Sequence, residues 1–272
     1  MPEVVTFFLA QLSLLAVVLV LHTYMGLHII RRGLIFCDLA LDQLAALGAI
    51  VGLGLGVEYG SAGSYLLSLA AVTVGAALLA VVKPKSRLIP REAVIGILYG
   101  LALAASLMTT DKLSRGADYL TKTLTGSLLW VTWPLIVTTA VVYAGLIVFH
   151  FVYRERFVSL AEEPGKLKRE ELWDFLFFAS QGVITILIVP IAGVLLAFGF
   201  LMIPAAMATM FTRGWVRGTV LGWSLGFVAC VLGVTASYLL NWPYGPTLLL
   251  SLGLFFFCAL ALRALLPTGG SA

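Results

Sequence analysis

The sequence predicts an all-α, polytopic membrane helical bundle with eight or nine transmembrane helices. Two observations support this prediction. First, 61% of the 272 residues are hydrophobic and 11% are charged, whereas charged residues make up about 25% of an average soluble domain. The mean hydropathy is accordingly high, at +1.06. Second, apolar runs of about 20 residues, the length that crosses a bilayer, recur along the chain.

Nine such runs follow one another. They cover residues 6–30, 34–56, 64–82, 93–108, 128–153, 172–189, 191–211, 216–239 and 247–266. The two runs that flank Pro190 are the least distinct, and one broken span with a re-entrant piece there would reduce the count to eight. No polar stretch is long enough to form a separate soluble domain. We therefore treat residues 1–272 as a single transmembrane domain.

Basic loops alternate with neutral or mixed loops along the chain. The basic positions after the odd-numbered runs are Arg31, Arg32, Lys83, Lys85, Arg87, Arg91, Arg154, Arg156, Lys166, Lys168, Arg169, Arg213, Arg217 and Arg263. Since basic loops stay on the cytoplasmic side, the N-terminus is predicted outside and the C-terminus inside. The alternation favours nine spans. It also accounts for the net charge of +4, which therefore indicates contact with membrane lipid and no nucleic-acid partner.

Two carboxylates interrupt the second apolar run. Asp38 and Asp42 are four residues apart and so share one helix face with the small residues Ala45 and Ala49. A carboxylate in mid-membrane costs about 2.5–3.5 kcal/mol on insertion scales, and two on one face repel unless a cation or proton lies between them. The pair indicates a cation site on a translocation path, and oxygen ligands favour hard ions such as Mn²⁺ or Mg²⁺.

A purely structural role for the aspartates is the alternative. In that case Asp38 lies near the cytoplasmic interface and pairs with Arg31 or Arg32. His22 in the first run is a third candidate metal ligand, because it faces the aspartates if the first two spans pack together. The other polar groups within the runs are predicted to form hydrogen bonds between helices; they are Gln181, Thr185, Ser224 and Ser237.

The largest loop, residues 154–175, has mixed charge and a Pro-Gly turn that separates two short helices. It is either an element that docks into a groove of a soluble partner or an ordinary solvated loop. The chain has no G-x-x-x-x-G-K-[ST] phosphate loop, so it does not bind ATP by that route. Hydrolase and zinc-protease motifs are also absent from the sequence, and we predict that the chain is not an enzyme.

Several stretches occur in a fixed order that resembles the membrane permeases of bacterial zinc/manganese/iron-type ABC importers. They are Arg32-Gly-Leu-Ile-Phe-Cys-Asp38-Leu-Ala-Leu-Asp42, Leu124-Thr-Gly126-Ser-Leu-Leu129, Phe157-Val-Ser-Leu-Ala161-Glu-Glu-Pro-Gly165, Gly193-Val-Leu-Leu-Ala-Phe-Gly-Phe-Leu201-Met-Ile-Pro204-Ala-Ala-Met-Ala208 and Pro243-Tyr-Gly245-Pro246. The fourth stretch is the most specific, and the resemblance covers nearly the whole chain.

The resemblance implies a homodimeric permease of the type II importer kind in the bacterial inner membrane. Its implied partners are a separate ATP-binding cassette ATPase and an extracytoplasmic metal-binding protein. A divalent metal ion would be the transported substrate, with no permanently bound cofactor. A cytoplasmic coupling loop, about 154–171, would meet the ATPase through Phe157, Ala161, Glu162, Glu163, Pro164 and Gly165. Asp38 would contact the metal, and Gly193, Pro204, Ala205 and Ala208 would form a structural motif.

The chain departs from the resemblance at Asp42, where these permeases commonly have a histidine. Loss of the imidazole removes a nitrogen ligand that suits Zn²⁺, and the carboxylate adds charge and hardness. The expected function is import of a divalent cation, with a harder ion favoured or with a ligand supplied elsewhere, for example by His22. The alternatives are a proton- or sodium-coupled carrier, an ABC permease for a metal chelate or other solute, and an accessory membrane protein without transport activity.

Overall fold

The computed structural model describes residues 2–83, 89–114, 116–126 and 131–266, and within these ranges the chain is helical without strands. The helices are α1 (Pro2–Arg32), α2 (Cys37–Gly54), α3 (Ala62–Val81), α4 (Arg91–Thr110), α5 (Gly116–Thr125), α6 (Trp133–Val152), α7 (Arg154–Glu162), α8 (Glu170–Phe211), α9 (Trp215–Leu240) and α10 (Tyr244–Leu265). Eight of these described helices, all except α5 and α7, are long and apolar enough to span a membrane. This confirms the predicted fold class.

The apolar runs located the membrane-spanning helices to within a few residues. The difference lies in one connection, because α5 is a short helix in a stretch that the hydropathy pattern leaves as a loop, whereas α7 confirms the short helix predicted before the Pro-Gly turn. Both are mixed in charge and too short to cross a bilayer. The first residues of the fifth predicted run, 128–130, and the loop positions Lys85 and Arg87 lie outside the described residues.

Helix α8 joins the two apolar runs that were predicted on either side of Pro190. It is 42 residues long, more than the roughly 20 residues that one crossing needs. Its backbone leaves the helical conformation at Gly193, where φ is 77° and ψ is 160°. The predicted interruption is present, but it lies at Gly193 rather than at Pro190, because membrane helices tolerate proline. The conformation at Gly193 is accessible essentially to glycine alone. The two segments of α8, residues 170–192 and 194–211, are each about as long as one crossing, so the choice between eight and nine spans stays a prediction.

The kink in α8 packs against the turn that follows α5. A Cβ atom added to Gly193 would lie 2.4 Å from the carbonyl oxygen of Leu124, and one added to Gly126 would lie 2.3 Å from the carbonyl carbon of Ala192. Gly126 also has a positive φ, of 72°. Two glycines from separate resembling stretches therefore make one backbone-to-backbone contact. Residues 127–129 of the second stretch lie outside the described part of the chain.

The chain divides into two compact units. One comprises Met1–Ile30 and Gly199–Ala272, and the other comprises Arg31–Phe198. A single transmembrane domain over residues 1–272 stays a prediction.

Small residues set the helix contacts in the first unit. Pro204 of α8 lies against Gly222 of α9, where an added Cβ would come within 2.6 Å of the Pro204 carbonyl oxygen. Ala205 lies against Gly26 of α1, where an added Cβ would be 2.8 Å from the Ala205 Cβ. Ala205 and Ala208 are fully buried together with Leu27. The Pro-Ala-x-x-Ala stretch thus lies where α8 meets α1 and α9.

In the second unit, α2 packs against α3 and α4. Gly48 of α2 approaches α3 so closely that an added Cβ would lie 2.7 Å from the Cα of Ser68. The Ser68 hydroxyl donates to the Ala45 carbonyl oxygen at 2.9 Å. On the α4 side, Gln43 donates to the Ser106 hydroxyl at 3.0 Å. Small residues along α2 therefore allow the close packing that encloses its polar face.

Candidate functional site

Both aspartates of α2 are buried in the second unit. The exposed fraction is 2% for Asp38 and 0% for Asp42. Each accepts one hydrogen bond from α8. The Gln181 amide Nε2 donates to Asp38 Oδ1 at 2.5 Å, and the Thr185 hydroxyl donates to Asp42 Oδ1 at 2.8 Å. We call these four side chains the oxygen cluster.

The oxygen cluster is arranged by the periodicity of two helices. Asp38 and Asp42 are one turn apart on α2, and Gln181 and Thr185 are one turn apart on α8, so each pair shares a face. Since the bonded partners advance in the same direction along both helices, the first part of α8 runs parallel to α2. Successive side chains on such a face are about 5–6 Å apart. The four side chains therefore lie within one helical turn of each other.

Neither aspartate of the cluster has a cationic partner among the residues that the structure describes. Arg31 pairs with Glu162 at 3.3 Å, and Arg32 pairs with Asp174. The predicted pairing of Asp38 with one of these arginines is therefore wrong for the described residues, and a structural role of the aspartates by other contacts stays open. Asp42 Oδ2 is buried without a hydrogen-bond partner in the same described ranges. The cluster thus combines two carboxylates with neutral donors and retains an unused acceptor.

Two further observations bear on the predicted metal ligands. In the described part of the chain, no group of three or more His, Cys, Asp and Glu side chains is placed to hold a metal ion. His22 is buried in the first unit, with Nδ1 at 2.9 Å from the Val18 carbonyl oxygen and its ring nearly perpendicular to the Phe200 ring. The assignment of Asp38, Asp42 and His22 as metal ligands stays a prediction.

Asp174 of α8 organises a second group of charges that sequence analysis missed. Its side chain is 1% exposed and forms ion pairs with Arg32, with Lys83 at 2.5 Å and with Arg91 at 3.3 Å. Lys83 also pairs with Glu170 at 2.9 Å. We call these five residues the Asp174 cluster. The available signal was a lone acid two residues into an apolar run that follows a basic loop.

The Asp174 cluster brings the basic ends of several membrane helices together. Arg32 ends α1, Lys83 follows α3, Arg91 begins α4 and Asp174 lies near the start of α8. These are positions that the alternation of loop charge assigned to one side of the membrane. The guanidinium of Arg32 also lies over the Phe177 ring, 4.9 Å from its centroid. The cluster therefore fixes one end of the second unit.

The predicted coupling segment consists of a buried anchor and an exposed turn. Phe157 of α7 is fully buried and stacks on His150 at 4.1 Å between ring centroids. Ala161 is half-buried, and the next four residues, Glu162, Glu163, Pro164 and Gly165, are exposed. The backbone N–H of Gly165 donates to Glu170 Oε2 at 2.5 Å. The turn is thus held at both ends, and its role in coupling stays a prediction.

Comparisons with known proteins give consistent matches. A family model described as the ABC 3 transport family matches residues 5–263. The chain is 25% identical over 251 residues to a "probable metal transport system membrane protein" of Chlamydia pneumoniae, covering 88% of this chain and 83% of that protein. It is 26% identical over 178 residues to an uncharacterized membrane protein of Synechocystis, covering 63% of each.

The fold also matches a solved structure. A chain in the structure of PsaBC from Streptococcus pneumoniae in complex with Fab superposes with a TM-score of 0.75. The match covers 93% of this chain and 90% of that chain, at 20% sequence identity. At this identity the match concerns the fold.

Proposed function

This chain belongs to the ABC 3 transport family, and on that premise we propose that it is the permease subunit of an ABC importer for a divalent metal cation of the zinc, manganese and iron class. The importer would work in the bacterial inner membrane. The name of the chlamydial relative supports metal as the substrate class. The absence of a phosphate loop from this sequence supports ATP hydrolysis on a separate subunit.

The oxygen cluster is the observation that carries the proposal. Two carboxylates in a membrane helix are costly to bury, and no lysine or arginine of the described residues pairs with them. A passing cation offsets both the desolvation of these groups and their mutual repulsion. Conduction requires binding that is favourable enough to admit an ion and weak enough to release it. Two carboxylates with two neutral neighbours suit such transient binding.

Helix α8 offers a route from the predicted coupling segment to the cluster. Glu170, at the start of α8, accepts a hydrogen bond from Gly165 of the exposed turn. Farther along the same helix, Gln181 and Thr185 hold the two aspartates. In the proposed mechanism, the ATPase contacts the exposed turn, and closure of the ATPase dimer displaces α8 relative to α2. That displacement changes the side of the membrane from which an ion can reach the aspartates.

The remaining parts of the proposal follow from the family and from loop charge. The permease acts as a homodimer and receives its ion from an extracytoplasmic binding protein. The N-terminus is outside and the C-terminus is cytoplasmic, so the Asp174 cluster and the exposed turn face the cytoplasm.

Elemental analysis tests the proposal directly. Cells with and without the chain, supplied with its ATPase, are compared for zinc, manganese, iron and cobalt content. We expect accumulation of at least one metal, its loss in Asp38→Ala and its retention in the control Ser224→Ala, whose native hydroxyl donates to the Val220 carbonyl oxygen of its own helix. Unchanged accumulation in Asp38→Ala, with the protein present in the membrane, would overturn the site. Uptake that survives inactivation of the ATPase would favour a secondary carrier.

A further inference from the structure

The oxygen cluster contains two buried acceptor atoms that receive no hydrogen bond from any described residue. One is Asp42 Oδ2 and the other is the amide oxygen Oε1 of Gln181. Gln181 is 1% exposed, so bulk water does not reach its amide oxygen. A buried acceptor without a partner costs about 1–3 kcal/mol. Two of them in one cluster call for a ligand that interacts with oxygen.

The hydrogen bonds of the cluster determine which oxygens remain available. The amide Nε2 of Gln181 is committed to Asp38, which leaves Oε1 as the only unused heavy atom of that amide. The Thr185 hydroxyl is committed to Oδ1 of Asp42, which leaves Oδ2. Gln181 Oε1 and Asp42 Oδ2 are therefore the buried oxygens of the cluster that have no donor among the described residues.

We propose that the Gln181 amide oxygen is a further ligand of the transported cation and that Thr185 is a positioning residue that orients Asp42 toward it. This inference rests on the proposed function. Asp38, Asp42 and Gln181 then supply an all-oxygen set from two parallel helices. Carboxylate and amide oxygens are the ligands that hard cations prefer, whereas Zn²⁺ binds histidine and cysteine well. The substrate class is accordingly a hard divalent cation of the Mn²⁺ type.

A second buried glutamine provides a matched control. Gln43 of α2 is also 1% exposed, and its amide oxygen also has no hydrogen-bond partner among the described residues. Its Nε2, however, donates to the Ser106 hydroxyl of α4 and not to a carboxylate of the described residues. A change at Gln43 therefore reproduces the loss of a buried amide without touching the oxygen cluster.

The experiment measures uptake of radioactive Mn²⁺ and Zn²⁺ by cells that carry the complete transporter. Gln181→Met keeps a similar side-chain volume and replaces the hard oxygen with a soft thioether. We expect its Mn²⁺ uptake at low concentration to fall at least tenfold, mainly through a higher apparent KM, and its Mn²⁺:Zn²⁺ ratio to fall. Gln43→Met should stay within twofold of wild type with an unchanged ratio.

Thr185 is tested by removal and rescue of its hydroxyl. Thr185→Val keeps the shape of the side chain but leaves Asp42 without its donor, so the apparent KM for Mn²⁺ should rise several-fold. Thr185→Ser should restore it. If Thr185 only fills space, Thr185→Ser should raise the apparent KM more than Thr185→Val does, since serine fills the site less well than valine. Equal effects of the valine and serine variants would overturn the positioning role.

Direct binding distinguishes failure of this inference from failure of the proposed function. Purified full-length chain is titrated with Mn²⁺ alone and followed by electron paramagnetic resonance. Gln181→Glu, which adds a third carboxylate, should bind at least tenfold more tightly than wild type, and Gln181→Met at least tenfold less tightly. If wild type transports a divalent cation but both variants bind Mn²⁺ as wild type does, the ligand assignment is overturned. If wild type transports no divalent cation, the proposed function itself fails.

Discussion

Thr185 of α8 donates a hydrogen bond to Asp42 of α2 across 2.8 Å. Asp42 occupies the position at which the resembling permeases commonly have a histidine. The threonine hydroxyl suits an aspartate at this position. A carboxylate only accepts hydrogen bonds, whereas a neutral imidazole both donates and accepts. The departure at residue 42 is therefore accompanied by a fitting partner on the neighbouring helix, and we expect it to influence which metal the proposed site prefers.

Restoring the histidine should shift the metal preference toward zinc. In Asp42→His, the site loses a charged oxygen and gains a nitrogen ligand that suits Zn²⁺. We expect the ratio of Zn²⁺ to Mn²⁺ uptake to rise about tenfold, which corresponds to about 1.4 kcal/mol. The measurement is inhibition of radioactive Mn²⁺ uptake by unlabelled zinc. Asp42→Asn, which removes charge without adding nitrogen coordination, should lower both uptakes. A ratio unchanged by the histidine would exclude residue 42 from metal selection.

Neutralising Asp174 should destabilise the second unit. The carboxylate lies within ion-pair distance of Arg32, Lys83 and Arg91, so Asp174→Asn leaves three cations around a neutral amide. Removing one member of a buried ion-pair group costs about 3–5 kcal/mol. The thermal unfolding midpoint of the detergent-purified protein should therefore fall by several degrees.

A matched change at an exposed ion pair gives the control for Asp174. The Asp111 side chain is 77% exposed and lies 3.6 Å from Lys112, so Asp111→Asn should change stability by less than about 0.5 kcal/mol. Equal unfolding midpoints for the two variants would mean that the Asp174 cluster does not stabilise the fold.

A methyl group at the kink of α8 should be poorly tolerated. Gly193→Ala places an L side chain at φ 77° and a Cβ 2.4 Å from the Leu124 carbonyl oxygen. Backbone strain and overpacking together should cost about 2 kcal/mol or more. Gly145→Ala in α6 is the matched control, because nothing lies within 4 Å of an added Cβ there. Thermal unfolding should separate the two variants, and similar midpoints would contradict the described contact.

The exposed turn after α7 should contact the ATPase. We expect a photo-cross-linker attached at Glu163→Cys, whose native side chain is 54% exposed, to capture the ATPase subunit in membranes that contain the whole transporter. Lys112→Cys, at a side chain that is 84% exposed, lies on a loop predicted to face outside and should capture no ATPase. Capture at residue 112 but not at residue 163 would reverse the proposed orientation.

Hydropathy predicted the helices well because span length is a direct consequence of the bilayer. The Asp38–Asp42 face was also predictable, since helical periodicity fixes which side chains align. Gln181 and Thr185 were correctly expected to bond between helices, but their acceptors depend on which helices are neighbours, and periodicity along one helix does not contain that information.

Sequence analysis did not predict two features, the exact position of the break in α8 and the Asp174 cluster. Proline breaks helices more strongly than glycine does. The backbone of α8 nevertheless leaves the helical conformation at Gly193, where the turn at Gly126 approaches, and not at Pro190. The Asp174 cluster joins residues that are distant along the chain. Both are long-range contacts, and the local pattern around each residue does not encode the partner.

The parallel alignment of α2 and α8 makes any sliding between them stepwise. A shift of part of a turn leaves both donors without their carboxylates. A shift of one full turn, about 5.4 Å, carries Gln181 to Asp42 and sets Phe177 opposite Asp38, so one aspartate keeps a donor and the other faces a hydrocarbon ring. In one register both aspartates receive a hydrogen bond from α8, and in the other only one does. A helix that moves between these two registers behaves as a one-turn ratchet.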